Sequence, residues 1–526
     1  MKVLVAEKIA DSGVELLKQE FDVDVTLGLS PEELVAAIPA YDALIVRSAT
    51  KATREVIEAG VNLKIVGRAG VGIDNVDVAA ATESGVIVCN APTSNIVSAA
   101  EHTIALLLAQ ARNIPQANAS MHGCKWERSK FTGTEVLDKT LGLVGLGRIG
   151  ALVAERAKGL GMKVIAYDPY ITEERAAQLG IDYAASLDEL LPNADFITVH
   201  LPKTKETIGM FGPDEFAKMK TGVRLVNTAR GGIYQEAALI DALKSGKVAS
   251  AGIDVYEVEP CTESPLFAFD QVIVTPHLGA STEEAQDRAG EQIAEYVAMG
   301  LRGEMVPTAV NIAPVTAEVM AEVGPYIPLA EALGGALAQV ARGPVSEIEV
   351  HFIGYLADLD TRVLKTALLK GLLTVVTQDS INFVNANLYA EQRGISVSEH
   401  KRVESFDYVS VMVVVAKVGK GEVKLGATLV GKKNEPRLVL FNEFEIDMAP
   451  SRYMAFLQYG DVPGVVGKVG TALGEAKINI AAMQVGRTEA GGTALMGINV
   501  DSPIKPDLLD RIAKDAGALE AWSVEL

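Results

Sequence analysis

Short apolar runs separated by amphipathic stretches dominate the first half of the chain. Runs at 3–6, 43–46, 63–66 and 86–88 alternate with segments of helical period, which predicts buried parallel strands joined by crossover helices. A longer helical stretch at 98–111 leads into further runs at 141–144, 164–167, 196–199, 225–226, 252–255 and 272–274, a second doubly wound unit. Helical periodicity at 282–299 runs into Pro307-Thr308-Ala309-Val310-Asn311, and a boundary near 312 follows. Between 315 and 450, strand-like runs at 408–415 and 423–429 alternate with Gly and Lys turns, and helical segments lie near 330 and 365, the mark of an α+β domain. Residues 453–526 spell strand, helix, strand, strand, helix, strand at 454–459, 465–476, 480–487, 494–500, 507–516 and 521–526. That order predicts a ferredoxin-like βαββαβ module. The predicted fold is therefore α/β: two doubly wound parallel-sheet domains, then an α+β domain and the βαββαβ module.

A chain of 526 residues exceeds one compact core, and 49% hydrophobic with only 5% aromatic residues favours globular α/β layers over disorder. The net charge of -20 repels phosphate backbones, and no long Lys/Arg run offsets it, so no nucleic-acid partner is expected. An anionic substrate must then be met by local cations. Cys89, Cys124 and Cys261 form no C-x-x-C pair, which predicts neither a disulfide framework nor a zinc site and fits a reducing cytoplasm. The apolar run at 3–6 is too short for a signal peptide, and no window approaches the roughly 18 apolar residues of a membrane span, so no membrane partner is expected either.

The first chemical motif is Gly145-Leu146-Gly147-Arg148-Ile149-Gly150, set between an apolar run and a helical pattern. Gly145 permits a tight turn, Gly147 lets a pyrophosphate approach the backbone, Gly150 lets the helix pack on the strand, and the Arg148 and Ile149 amides aim at phosphate. Asp168, eighteen residues after Gly150, ends the next strand, where its carboxylate bonds ribose hydroxyls and repels a 2′-phosphate. NAD is the expected cofactor. Asp254 either reaches the nicotinamide carboxamide or is a solvated strand-end acid.

Ligands of open α/β sheets bind beyond the carboxyl ends of the strands. Arg230, Glu259 and His277 each follow a predicted strand and should converge on the cofactor crevice. Oxidising a hydroxy acid requires a cation for the carboxylate, a base for the hydroxyl proton and a group that holds the base. Arg230, His277 and Glu259 answer these needs in turn. The other five of the six histidines read as structural: His102 in a helical pattern, His122 and His400 in polar stretches, His200 at a strand end and His351 in an apolar run.

Several stretches carry a family resemblance: Val46-Arg47-Ser48-Ala49-Thr50, Gly67-Arg68-Ala69-Gly70-Val71-Gly72-Ile73-Asp74-Asn75, Lys125-Trp126-Glu127-Arg128, Asn227-Thr228-Ala229-Arg230-Gly231-Gly232 and Pro276-His277-Leu278-Gly279-Ala280-Ser281-Thr282. Over nearly its whole length the chain resembles the long-type D-3-phosphoglycerate dehydrogenases of the D-2-hydroxyacid dehydrogenase family. The resemblance implies oxidation of 3-phospho-D-glycerate at C2 by NAD, the first step of L-serine synthesis, with Arg230, Glu259 and His277 catalytic. It implies cofactor contacts at Arg148, Ile149, Asp168, Thr228, Ala229, Arg230, Asp254, His277, Leu278, Gly279 and Ala280. It also implies a discontinuous substrate-binding domain (1–97 with 289–312), a Rossmann domain (98–288), an intervening domain (315–450) and a regulatory ACT module (453–526).

Arg47 and Arg68 follow apolar strands and are natural phosphate clamps, or else solvated strand-end charges, while the amides of Ala69, Gly70, Val71 and Gly72 offer a cradle for the carboxylate. Arg128 is a further candidate reaching from a partner subunit. In the ACT module Tyr459, Asp461 and Asn479 match the ligand loop, which implies L-serine as effector across a subunit interface of a dimer or tetramer; an ACT domain that only dimerises is the alternative. Two other functions remain open on sequence alone: a reductase of glyoxylate, hydroxypyruvate or 2-oxoglutarate, and a non-catalytic NAD-sensing corepressor.

Overall fold

A computed structural model describes the 526 residues except Pro314, Phe406 and Lys420. The first sheet contains β1 (Lys2–Val5), β2 (Asp22–Val25), β3 (Ala43–Val46), β4 (Ile65–Arg68) and β5 (Ile87–Asn90), all parallel, in the order β2-β1-β3-β4-β5. Its central strands are apolar throughout because helices cover both faces; Ala43, Leu44, Ile45 and Val46 are wholly buried. One covering helix comes from far down the chain. Glu283–Leu301 packs Ala289, Ile293, Val297 and Ala298 against Val3, Val5 and Ile65, and the Val310 N–H then donates to the Val88 carbonyl at 2.8 Å.

The second sheet contains β6 (Thr140–Val144), β7 (Lys163–Tyr167), β8 (Asp182–Tyr183), β9 (Phe196–Val199), β10 (Val223–Asn227), β11 (Val248–Ile253) and β12 (Val272–Val274). Its order, β12-β11-β10-β9-β6-β7-β8, changes direction between β6 and β9, where a doubly wound sheet opens its crevice. The edge strands β2 and β8 escape the sequence pattern. β2 reads Asp-Val-Asp-Val with no residue buried, and β8 has two residues, so neither carries an apolar run.

The third sheet is mixed: β13 (Val345–Gly354), β14 (Ser396–Arg402), β15 (Ser410–Val418), β16 (Gly421–Val430), β17 (Glu435–Phe441) and β18 (Phe444–Met448), in the order β14-β13-β15-β16-β17-β18. Helices Ile327–Val340 and Arg362–Val376 cover one face only, so β13 alternates strictly: Ile348, Val350 and Phe352 are fully buried and the odd-numbered positions between them face away. The fourth sheet, β19 (Tyr453–Gly460), β20 (Ile480–Arg487), β21 (Thr493–Val500) and β22 (Ala518–Glu525), is antiparallel in the order β20-β21-β19-β22. Helices Val465–Glu475 and Pro506–Ala516 complete βαββαβ.

The last two sheets share one core. Met454, Phe456, Trp522 and Val524 pack with Phe441 and Phe444, and the Phe441 ring lies 4.8 Å from Phe456 and 5.1 Å from Trp522. No helix among the described residues is long and apolar enough to cross a membrane.

Candidate active site

The glycine loop follows β6 and opens helix Arg148–Gly159. Gly145 has φ +99°, and a Cβ there would stand 2.7 Å from the His200 carbonyl oxygen. A Cβ on Gly150 would stand 2.2 Å from the Gly145 carbonyl oxygen. Around Gly147 nothing lies within 4 Å of such a Cβ, so the helix N-terminus faces open space of the kind a pyrophosphate needs. Asp168 is buried and tied to that loop: Leu146 N–H donates to its Oδ2 at 2.8 Å and Tyr170 N–H to its Oδ1 at 2.9 Å. These residues fit a dinucleotide, with lone pairs of the Asp168 carboxylate left for ribose hydroxyls.

Beyond β12 the chain turns sharply at His277, which sits at φ +56°, and its N–H donates to the Asp254 carbonyl at 2.9 Å. Asp254 carries the loop from below. Its Oδ1 accepts from Leu278 N–H at 2.7 Å and the Thr275 hydroxyl at 2.6 Å, its Oδ2 accepts from Gly279 N–H at 2.9 Å, and His102 Nε2 lies 3.2 Å from Oδ1. Asp254 is wholly buried, so the reading of a solvated acid is corrected: it is a structural anion that fixes the segment carrying His277. Burial pushes its carboxyl up, but the bonds from His102, Thr275 and Leu278 outweigh that and hold it below the ordinary value.

His277 and Glu259 form a close pair, Nδ1 to Oε2 at 2.6 Å, while Tyr256 N–H donates to Glu259 Oε1 at 3.0 Å. Burial raises the Glu259 carboxyl; the bonds from His277 and Tyr256 N–H together with the charge of Arg230 bring it below the ordinary range. With Nδ1 engaged, His277 has Nε2 free for chemistry. Arg230 donates from Nη1 to the Ala229 carbonyl at 2.7 Å, and its Nε lies 3.4 Å from Asp74 Oδ2. Thr228 is buried, with its hydroxyl 2.7 Å from that of Thr103.

The first sheet supplies the opposite wall. A Cβ on Gly72 would stand 2.1 Å from Arg230 Nη2 and one on Gly70 1.6 Å from Arg68 Nη1, so the two guanidinium groups lie directly over this glycine loop. Arg68 Nε is buried without a hydrogen-bond partner. Burial first, then the charges of Arg230 and Arg47, pull the Arg68 pKa down to about 10 despite Asp74 and Glu7. Arg47 donates from Nη1 to the Lys8 carbonyl at 3.1 Å, and Glu7 collects the N–H groups of Arg47, Ala49 and Thr50 at 2.9, 3.3 and 2.7 Å. Three arginines thus converge, with Asp74 and Glu7 as their acidic neighbours.

The structure brings together Arg47, Arg68, Gly70, Gly72 and Arg230, and, adjoining them, Glu259 with His277; Ala69, Val71, Leu278 and Ala280 lie on the same loops. Sequence reasoning missed Asp74 and His102. Each meets its partner from a distant segment, Asp74 reaching Arg230 and His102 reaching Asp254, so no local sequence pattern signals the contact. Arg128 lies with Trp126 and Phe131 around a separate surface cavity of about 280 Å³.

In the C-terminal module, Tyr459 is buried in the core beside Val465 and Val469. Asp461 Oδ2 accepts from Gly491 N–H at 3.1 Å and lies 3.5 Å from Arg487 Nη1, while Asn479 Nδ2 donates to Asp501 Oδ2 at 2.8 Å. Gly460 pairs with Thr493 at one end of β21 and Ile480 with Val500 at the other. Asp461 and Asn479 therefore stand at opposite ends of the sheet, about 23 Å apart by strand rise.

Comparison with known proteins matches residues 104–279 to the NAD binding domain of D-isomer specific 2-hydroxyacid dehydrogenases, 322–442 to the D-3-phosphoglycerate dehydrogenase intervening domain, and 453–517 to the ACT domain. The chain is 48% identical over 527 residues to D-3-phosphoglycerate dehydrogenase of Mycobacterium tuberculosis, covering all of this chain and 98% of that one. It is 45% identical over 531 residues to the enzyme of that name from Archaeoglobus fulgidus, covering both chains fully. The chain belongs to the D-3-phosphoglycerate dehydrogenase family. Shorter solved structures match part of the chain: a glyoxylate reductase from Paecilomyes thermophila covers 59% of this chain and 98% of its own, at 31% identity and TM-score 0.54. D-lactate dehydrogenase of Escherichia coli matches 59% and 100%, at 29% identity and TM-score 0.53. The family's cofactor is NAD, and the Gly147 opening with Asp168 behind it accommodates one.

Proposed function

We propose that this chain is an NAD-dependent dehydrogenase interconverting 3-phospho-D-glycerate and 3-phosphohydroxypyruvate, the first step of L-serine synthesis, with Arg230, Glu259 and His277 as its catalytic residues. The observation that carries the reading is a carboxylate-bonded imidazole, His277 to Glu259 at 2.6 Å, beside an arginine cluster in which Arg68 has a buried, unpartnered Nε.

Bound NAD supplies the acceptor for the C2 hydride. Glu259 fixes the His277 tautomer by accepting from Nδ1, and Nε2 takes the C2 hydroxyl proton during oxidation and returns it during reduction. The imidazolium formed is stabilised by the Glu259 carboxylate. Arg230 binds the substrate carboxylate and polarises the C2 oxygen, leaving Asp74 as it does so. The amides of residues 69–72 support that carboxylate, and Arg68 with Arg47 receive the phosphate. A substrate with two anionic ends suits a site with three cationic groups, whereas lactate or glyoxylate leaves Arg68 unpaired.

We assign the catalytic half to a discontinuous substrate domain (1–97 and 289–312) and a Rossmann domain (98–288), followed by the intervening domain (315–450) and the ACT module (453–526). The effector site, for L-serine, uses Asp461 of one chain and Asn479 of a second, which makes the enzyme a homodimer or tetramer; the separation of the two residues within one chain supports this. Three unpaired cysteines fit the cytoplasm.

NADH oxidation with 3-phosphohydroxypyruvate, set against unphosphorylated hydroxypyruvate and 2-oxoglutarate with and without L-serine, tests the reading. Preference for the phosphate ester and inhibition by serine are expected; equal rates without inhibition would assign a general 2-hydroxyacid reductase.

A further inference from the structure

We propose that Glu349, His351 and His400 form a binding site for one divalent transition-metal ion, zinc in type, on the open face of the intervening sheet. The dehydrogenase reaction uses none of these residues.

The placement follows from strand geometry. β13 and β14 run parallel with His351 and His400 as direct partners, so both imidazoles leave the same face side by side, with ring centroids 4.8 Å apart and planes 19° from parallel. Glu349 precedes His351 by two residues and shares that face. The opposite face is pinned by Ile348, Val350 and Phe352 in the core, so the three donors cannot rotate away together. Glu349 Oε2 lies 3.3 Å from His351 Nε2 and 3.9 Å from His400 Nε2, and one donor atom from each residue falls within 4.8 Å of the others.

A tetrahedral ion held at about 2.0–2.1 Å sets its donors roughly 3.3 Å apart. The Glu349–His351 edge already meets that spacing, and His400, half exposed on the edge strand, needs only a small side-chain rotation. Ser398 Oγ, 3.2 Å from His400 Nε2, holds the ring while no ion is bound. Two neutral imidazoles and a carboxylate are borderline donors that suit zinc, cobalt or copper and not calcium or magnesium. The fourth position opens into a cavity of about 610 Å³ whose lining includes Arg402, Lys424, Asp407 and Glu445, so water or a small anion completes the shell. No motif announces the site, because His400 lies far from Glu349 and His351 in sequence and joins them only through strand pairing.

The test uses the full-length chain, freed of metal with a chelator and desalted. Calorimetric titration with zinc chloride is expected to give one ion per chain, and cobalt(II) a visible band of four-coordinate intensity. Both signals should vanish in His351→Ala and His400→Ala, whose dehydrogenase rates should match the parent. They should persist in His277→Ala, which separates this site from the catalytic imidazole. If either alanine variant fails to fold, Glu349→Gln keeps the side-chain shape and is expected to weaken binding by at least the roughly tenfold that an outer partner of a metal ligand contributes. No binding by the parent at about 100 µM ion, undiminished binding by the variants, or loss in His277→Ala would overturn the proposal.

Discussion

Arg68 concentrates the tension of the crevice in one side chain. A buried guanidinium nitrogen without a protein partner costs about 1–3 kcal/mol, a cost that an arriving anion relieves. Arg68→Met should therefore raise the melting temperature while raising KM for 3-phosphohydroxypyruvate at least tenfold, and it should leave KM for unphosphorylated hydroxypyruvate nearly unchanged; calorimetry and steady-state kinetics read the two halves. His277→Ala should lower turnover by about 10²–10⁴-fold, the usual worth of a positioned acid/base, with NADH affinity retained in fluorescence titration. The residues behind these predictions were legible because each stands at the end of an apolar strand of the first two sheets. Asp74 and His102 were not legible, since what they touch belongs to other segments.

At the scale of the element, the segment after β12 depends on Asp254. It receives the Leu278 and Gly279 N–H groups and the Thr275 hydroxyl, and His102 reaches it from helix Ile96–Ala111. Asp254→Asn removes the charge and turns one acceptor into a donor facing N–H groups. About 1–3 kcal/mol of stability should be lost, with faster hydrogen exchange at Leu278 and Gly279 and lower turnover. The pH dependence has a definite sign. The folded carboxyl titrates below its ordinary value, so its contribution is complete above the unfolded pKa of about 3.9 and fades as pH falls through the folded one. The gap in stability between parent and Asp254→Asn should accordingly narrow only in strong acid, as chemical denaturation across pH would show. Sequence pattern found the central strands because they are apolar throughout. It missed β2 and β14, whose edge positions leave no side chain fully buried and erase the alternation on which such readings depend.

For the whole molecule, the order of strands and helices and the family resemblance put a domain boundary near 450, yet the hydrophobic core runs through it. A chain ending at residue 450 would expose Phe441 where Phe456 and Trp522 now cover it, and would open the core that holds Phe444. That truncation should aggregate or melt well below the parent, whereas one ending near 312 keeps the first two cores intact and should remain folded and bind NADH. Light scattering and melting curves distinguish the two. The separation of Asp461 from Asn479 gives a second test at this scale. Asp461→Ala and Asn479→Ala should each abolish serine inhibition, and mixed oligomers of the two variants should regain part of it, since one interface in each mixed pair carries both native residues. No recovery would place the effector site within a single chain.

The Arg230–Asp74 pair spans the two walls of the crevice at 3.4 Å. An anion is already in residence before any substrate arrives, so binding is an exchange of one carboxylate for another and not the filling of a bare positive hole. Added salt loosens the tenant and the newcomer alike. Selectivity at this arginine then turns on geometry, on which carboxylate fits the guanidinium fork better, and the enzyme meets the many other anions of its surroundings with this charge already spoken for.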